Sequence, residues 1–549
     1  MRQLAEKSGS SMSRVINVIR ASRLWWCHVL VAAALALHPD VSWAQERQST
    51  TSIAHALHTA LVERHASKFV DGAPDPLFDF YASRNFAPAW SAPGAAEAVL
   101  STLSHADTQG LRAEDYSATA SRWNVVPNGA PDAVAFELSL MTDLMRYAAD
   151  VRLGRVNPTR IHQDVELPVR TFEFAAALNI ALKNREIERF LADLPPQQPE
   201  YRGLLDGLAK YRLLQSNGGW SKVPAKSEVP LDGRNPRSRA LIARLSQEDS
   251  LLAKNSNPSA DDVHHAVMRF QLRNGIRANG RASEQTLAAL NVPVDVRIAQ
   301  IIVNLERWRW MQRKLEDRYV LVNVPDQTVR MISNGEVQLE SRAVVGRLGS
   351  KTPIARLLAS SLVINPPWHV PEDIAEAQIL PKLRQNPNYL VAHNMMLVNG
   401  PAGDPQGRTI DWRNMKTMPY LIDQNPGPGS AMGELMVDSP NSFGVYLHDT
   451  PGKALFQADT RMESNGCIRV ENMIELSAMI FGGEQRNTIE QLRANIASGQ
   501  TRRLFLEKQV PIYLLYQTAI AYSDGTMGFR ADLYGRDKPL AAALMMPAG

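Results

Sequence analysis

Apolar and polar positions follow two different rhythms along this chain. Over residues 75–220 apolar side chains recur at steps of three and four: Leu77, Phe78, Phe80 and Tyr81, then Val99, Leu100 and Leu103, then Ala135, Leu138, Met141, Leu144, Met145 and Ala148. That spacing gathers them on one side of a helix, and an all-α region is predicted. Residues 221–236 (SKVPAKSEVPLDGRNP) mix Pro, Gly, Ser and charge and read as a linker. Helical spacing resumes over 237–292, centred on Val267, Phe270, Gln271, Ile276, Leu287 and Leu290, with Gly275 and Gly280 at the turns.

From Tyr319 the period drops to two. Residues 319–324 (YVLVNV) and 328–332 (TVRMI) flank Pro325-Asp326-Gln327 and predict a hairpin. Further strands are expected at 343–346, 361–364 and 443–447, with a strand pair at 510–516 and around 518–522. Helices are expected near 374–383 and 473–481. Residues 366–430, rich in Pro, Gly, Asn and aromatic residues, read as a cap over a site rather than as a packed core. The fold class is multidomain α+β: helical first, mainly β towards the C-terminus.

Length and composition narrow this picture. The 549 residues suggest several domains, and 44% hydrophobic content with dispersed Pro and Gly excludes fibrous and wholly disordered chains. One apolar run stands out at residues 25–37 (WWCHVLVAAALAL), preceded by Arg14, Arg20 and Arg23 and followed by Ser42-Trp43-Ala44. It reads as an export signal over residues 1–44, with Met12 as an alternative start and an uncleaved inner-membrane anchor as the competing reading. Its removal takes away five basic and two acidic side chains and lowers the formal charge from +4 to +1. No basic stripe for nucleic acid remains.

The two cysteines are Cys27 and Cys467, and cleavage leaves only the second. One thiol in an oxidising compartment forms no intrachain disulfide, so it is either buried and inert or chemically active. Cys467 lies in Ser464-Asn465-Gly466-Cys467-Ile468-Arg469-Val470, a short loop beyond His448-Asp449-Thr450-Pro451. His448 ends an expected strand and could serve as the base that activates the thiol. Gly466 permits a sharp turn that frees amides for an oxyanion, and Arg469 could favour the thiolate or grip a carboxylate. On those grounds the thiol is expected to ionise below its ordinary value of about 8.5. Zinc is a weaker reading, because one Cys and one His leave the shell incomplete. His55, His58 and His65 have no carboxylate or Cys to complete a metal site, and the tandem His264-His265 carries no ligand signature.

The HDTP…SNGCIRV pair resembles the L,D-transpeptidase (YkuD-type) catalytic domain. The resemblance extends to Asn365-Pro366-Pro367-Trp368-His369-Val370-Pro371, to residues 426–433 (PGPGSAMG) and to Asp532-Leu533-Tyr534-Gly535-Arg536-Asp537. Phe80-Tyr81, Pro88-Ala89-Trp90, Gly110-Leu111 and Asp115-Tyr116 resemble the helical scaffold domain of the large Gram-negative members. The string Val267…Phe270-Gln271…Gly275-Ile276…Gly280…Thr286-Leu287…Leu290 resembles a three-helix peptidoglycan-binding module. The implied domains are a scaffold at 45–225, the module at 237–292 and a catalytic domain at 319–540 with its cap at about 366–430.

The resemblance implies Cys467 as nucleophile, His448 as base, a backbone carbonyl at Asp449 orienting the ring, and oxyanion amides at Gly466 and Cys467. Asn465 stands where many members have His, so any role of that imidazole must fall elsewhere. Arg469, Asn465, Ser464, Tyr446, Trp368 and Trp412 are substrate-binding candidates. The implied activity is a 3→3 cross-linking acyl transfer between peptidoglycan stem peptides through a Cys467 thioester, in the periplasm, without metal or organic cofactor. The implied partners are stem peptides, glycan strands and other wall-synthesis enzymes. An L,D-carboxypeptidase or cross-link-cleaving peptidase would use the same dyad, and a non-enzymatic wall-binding scaffold is the reading from another class.

Overall fold

A computed structural model describes residues 40–68, 75–123, 130–224, 227–482 and 488–546. Most of the expected export signal lies outside these residues. Residues 40–44 open the helix Asp40–Lys68. Among the described residues no single helix is long and apolar enough to cross a membrane.

The chain divides into two compact units. The first holds the described residues up to 91 together with 130–138. In it His58 meets Phe86 edge-on at 4.6 Å and His65 stacks on Phe78 at 4.3 Å, so these histidines pack against aromatic rings. Buried Glu137 accepts hydrogen bonds from the Tyr81 hydroxyl (2.9 Å) and the Ala89 amide. Burial raises its carboxyl to about 7 despite those donors.

The second unit, residues 92–124 and 139 onward, holds the rest. Its scaffold helices include Ala95–Ser104, Phe174–Asn184, Ile187–Asp193 and Pro199–Ser216. The helical reading fails at one place: Val165–Glu166 is a short strand, β1. Two residues are too few to mark a period, and pairing with a distant strand decides their conformation.

The next part packs the helices Pro236–Ser246, Ser250–Lys254, Ala260–Arg273 and Glu284–Leu290 around Leu241, Val263, Phe270 and Leu287. Ser259 and Asp262 form a capping box at the start of the third helix. Buried Gln271 organises the turn after it, accepting from the Asn279 and Gly280 amides and donating to Thr286 Oγ1. The expected linker is not loose throughout. Val223 and Val229 are buried in this core, and Val229 bridges Ala282, because the two valines outweigh their polar neighbours.

The remaining strands are β2 Arg318–Asn323, β3 Thr328–Ser333, β4 Glu336–Gly346, β5 Ile354–Ile364, β6 Trp368–Val370, β7 Met395–Leu397, β8 Ile422–Gln424, β9 Leu435–Asp438, β10 Leu447–His448, β11 Met462–Ser464, β12 Ile468–Val470, β13 Arg502–Leu515, β14 Ala519–Ala521 and β15 Met527–Phe529. The main sheet runs β1-β5-β13-β2-β3-β4-β12-β10-β9, and β9 pairs back onto β5. From β5 round to β9 the strands therefore close on themselves. They surround a core that includes Val320, Val322, Leu362, Leu447, Ile468 and Ile512, sealed by the helix Met473–Phe481. The parallel pairing of Val165 with Ile354 adds β1 to the edge of β5 opposite β13, the edge that further along pairs with β9.

Two local expectations differ. The runs 510–516 and 518–522 do not pair with each other, since β13 lies between β5 and β2 while β14 pairs with β15. Residues 443–446 form a loop pinned by Asn441, whose side chain donates to Val445 O (2.7 Å) and accepts from Phe443 N (3.0 Å). The 366–430 segment is a folded subdomain rather than a loose cover. The sheet β6-β8-β7 and helical residues 372–385 enclose a core of their own around Leu383, Leu390, Trp412 and Ile422.

Candidate active site

Parallel strands β10 and β12 place Leu447 beside Ile468 and His448 beside Arg469. Successive side chains leave a strand on opposite faces. Leu447 and Ile468, both fully buried, enter the core, so His448 and Arg469 share the other face, with Tyr446 and Cys467 immediately before the two strands and Cys467 part-buried against the core. The Tyr446 and His448 rings meet edge-on at 5.7 Å, and the Cys467 thiol points to Gly444 O at 3.9 Å.

Electrostatics on this face depart from the sequence expectation. Burial and the neighbouring Arg469 charge push His448 down to about 4, so the imidazole is neutral at pH 7. The Asp449 and Met432 carbonyls oppose that shift, although neither makes a hydrogen bond of ordinary geometry to Nδ1. Burial likewise pushes the Cys467 thiol up, against the lowering effects of Tyr446 and Arg469. The thiol is therefore not an unusually acidic one. Desolvation outweighs Arg469, whose own charge is also disfavoured by burial and whose Nε has no hydrogen-bond partner among the described residues. A neutral imidazole on the strand next to a protonated thiol suits proton transfer during attack rather than a standing ion pair.

The turn before Cys467 is built tightly. Gly466 has φ of +112°, a conformation costly for any residue with a Cβ. Ser464 is buried, its hydroxyl donating to Cys467 O (2.6 Å) and accepting from Gly466 N (3.2 Å). It clamps the turn instead of facing substrate, and it occupies one of the two amides expected to meet an oxyanion. Asp449 is buried too, its carboxylate accepting from Glu434 N (3.1 Å) and paired with Lys453.

Asn465 is half-buried and accepts a hydrogen bond from Gln378 (3.1 Å), which lies on the π-helical turn Ala375–Ile379 of the cap. Trp368 packs part-buried against the cap core. Trp412 is 1% exposed, with its indole N–H bonded to Gly407 O (2.8 Å), so it holds the cap together and is no substrate contact. Its aromatic character signalled equally a binding surface and a core.

Sequence reading did not single out Gln378 or Thr352, whose hydroxyl reaches Gly466 O at 2.8 Å. No periodic pattern joins residues that distant, and only the Thr352-Pro353 pair after a polar loop marks the place. Among the described residues no group of three His, Cys, Asp or Glu side chains is arranged to hold a metal ion.

Comparisons with known proteins bear on this geometry. Residues 317–485 match the L,D-transpeptidase catalytic domain family, and residues 75–208 match the scaffold domain family. A Haemophilus influenzae protein, provisionally named an L,D-transpeptidase, is 32% identical over 225 residues, 41% of this chain. The alignment spans 45% of that relative's length. Two solved structures align weakly. A mutant of the Enterococcus faecium L,D-transpeptidase is 13% identical over 37% of this chain and 50% of its own, with a TM-score of 0.16. The Ldtfm–avibactam carbamoyl enzyme is 11% identical over 50% of this chain and 97% of its own, with a TM-score of 0.17. Scores this low carry no weight for the fold.

Proposed function

We propose, from a chain that carries an L,D-transpeptidase catalytic domain over residues 317–485, that the protein forms 3→3 cross-links between peptidoglycan stem peptides through a thioester on Cys467. The observation that carries this reading is the pairing of β10 with β12, which sets a neutral His448 beside Arg469, with Cys467 immediately before β12.

In the first step Cys467 Sγ attacks the carbonyl on the L-centre of diaminopimelate in a donor tetrapeptide, and its proton passes to His448. The tetrahedral oxyanion lies against the Cys467 amide. Collapse breaks the peptide bond, and the terminal D-Ala amine leaves with the proton from His448. In the second step the side-chain amine of another stem attacks the thioester, His448 takes its proton, and the thiol is regenerated. The half-buried Arg469 guanidinium suits a carboxylate on the donor stem. The folded cap, touching Asn465 through Gln378, supports a role in limiting water at the thioester. The scaffold and the 237–292 module would hold glycan strands near this site, in the periplasm, alongside other wall-synthesis enzymes.

The test is to incubate tetrapeptide-rich wall material with the protein, digest it, and look for 3→3 dimers by mass spectrometry. Dimers that vanish with Cys467→Ala support the proposal. Tripeptide release without dimers would replace it with a hydrolase, and no product at all would favour a wall-binding scaffold.

A further inference from the structure

The peptide joining Gly466 to Cys467 has its carbonyl on one side and its N–H on the other, as any planar trans peptide does. Whatever fixes the carbonyl therefore fixes where the Cys467 N–H points. Thr352 holds that carbonyl. It is fully buried, and its Oγ1 accepts from Gly346 N (2.9 Å) and donates to Gly466 O (2.8 Å). With a carbonyl on one side and an N–H on the other, the hydroxyl proton has a single direction available. The second amide of the turn is occupied by Ser464, and among the described residues no acceptor lies on the Cys467 N–H.

The seat of Thr352 is equally constrained. A Cβ on Gly346 would lie 2.1 Å from Ser350 O and 2.7 Å from Thr352 N, so only glycine lets the 350–352 segment come this close. Tyr534 donates to Gly346 O (2.6 Å) and receives the Thr352 N–H (3.3 Å). Its own N–H goes to the Tyr516 hydroxyl (2.6 Å), which donates to Asp532 (2.7 Å). The Asp532–Asp537 stretch thus ends, through two tyrosines, on the threonine beneath the nucleophile's turn.

We propose that Thr352 is a positioning residue that aims the Cys467 N–H at the developing oxyanion, backed by Tyr534. The inference rests on the acyl-transfer reading above. Its test separates oxyanion chemistry from thiol reactivity. Thr352→Val keeps the shape and removes the hydroxyl, while Thr352→Ser keeps the hydroxyl. Acylation of Cys467 by a donor tetrapeptide and by a carbapenem would be followed by mass, beside alkylation by iodoacetamide, which displaces iodide and forms no oxyanion.

Thr352→Val should lower kcat for acylation by about 10²–10³-fold, the scale of a lost oxyanion donor, with KM within about threefold and alkylation unchanged. Thr352→Ser should restore most of the loss, and Tyr534→Phe should give a smaller loss of the same kind. Wild-type acylation in Thr352→Val, or parallel losses of acylation and alkylation, would overturn the inference. If Thr352→Val does not fold, Tyr534→Phe decides: unchanged acylation refutes the relay. Wild-type protein that takes no acyl group from either donor would instead defeat the acyl-transfer reading itself.

Discussion

Lowering the pH from about 7.5 to about 5 is expected to leave the His448 base working, although an ordinary imidazole would be largely protonated there. With the group at about 4, about 90% remains neutral at pH 5, against about 3% for a pKa near 6.5. The acid limb of acylation should therefore fall near pH 4. The same shift acts on stability. The unfolded chain binds a proton below about 6.5 and the folded one only near 4, so stability is lost as pH falls through that window. A displacement of that size corresponds to about 3 kcal/mol in all, and to almost nothing above pH 7.

Carbon-13 labelling of the histidine Cε1 atoms, with His448 assigned by its loss in His448→Gln, reads the midpoint directly. Denaturation of the wild type and His448→Gln across pH 4–7.5 reads the linkage. A His448 midpoint at or above 6.5, with identical pH slopes in the two proteins, would refute the reasoning that burial and Arg469 keep the ring neutral.

Other expectations follow from the same contacts. Alkylation of Cys467 by iodoacetamide should show a midpoint above the ordinary thiol range, and Arg469→Ala should move it further up, because that side chain opposes the effect of burial; a midpoint below that range would contradict the desolvated thiol. Glu137, raised to about 7 by burial, makes the folded state prefer its protonated form, so stability should decline as pH rises from about 4.5 to 7, and Glu137→Gln should flatten that decline in a denaturation series. Trp412→Ala should cost about 3–5 kcal/mol in the cap core, seen as earlier proteolysis within 366–430 rather than as loss of thiol alkylation.

Local features were the most legible in the sequence. The hairpin of β2 and β3 and the helix Met473–Phe481 read directly, because their periods arise within a dozen residues. The thiol and imidazole proposed as nucleophile and base could be picked out, since chemically distinctive residues sit in a recognisable string. What could not be read depends on distant surroundings. The direction of the thiol's shift follows from desolvation by the segments folded around it. The two residues of β1 adopt their conformation from β5. Ser464 and Trp412, polar and aromatic residues beside a site, looked like substrate contacts, yet hydrogen bonds to Gly466 N and Gly407 O commit them to the framework. Thr352 gives no local sign of its partner 114 positions away.

The place of β13 in the ring has a consequence for the order in which the protein comes into being. This strand lies between β5 and β2, with partners along both sides, yet a ribosome makes it after every other strand of that ring. Until then two lengths of backbone that will be interior stand bare, and β10 and β12 belong to an open ribbon. A nascent chain is thus long for most of its synthesis without being competent. A stop codon anywhere before residue 502 would remove a central stave and not a fringe, so prematurely ended products should be inert rather than weakly active.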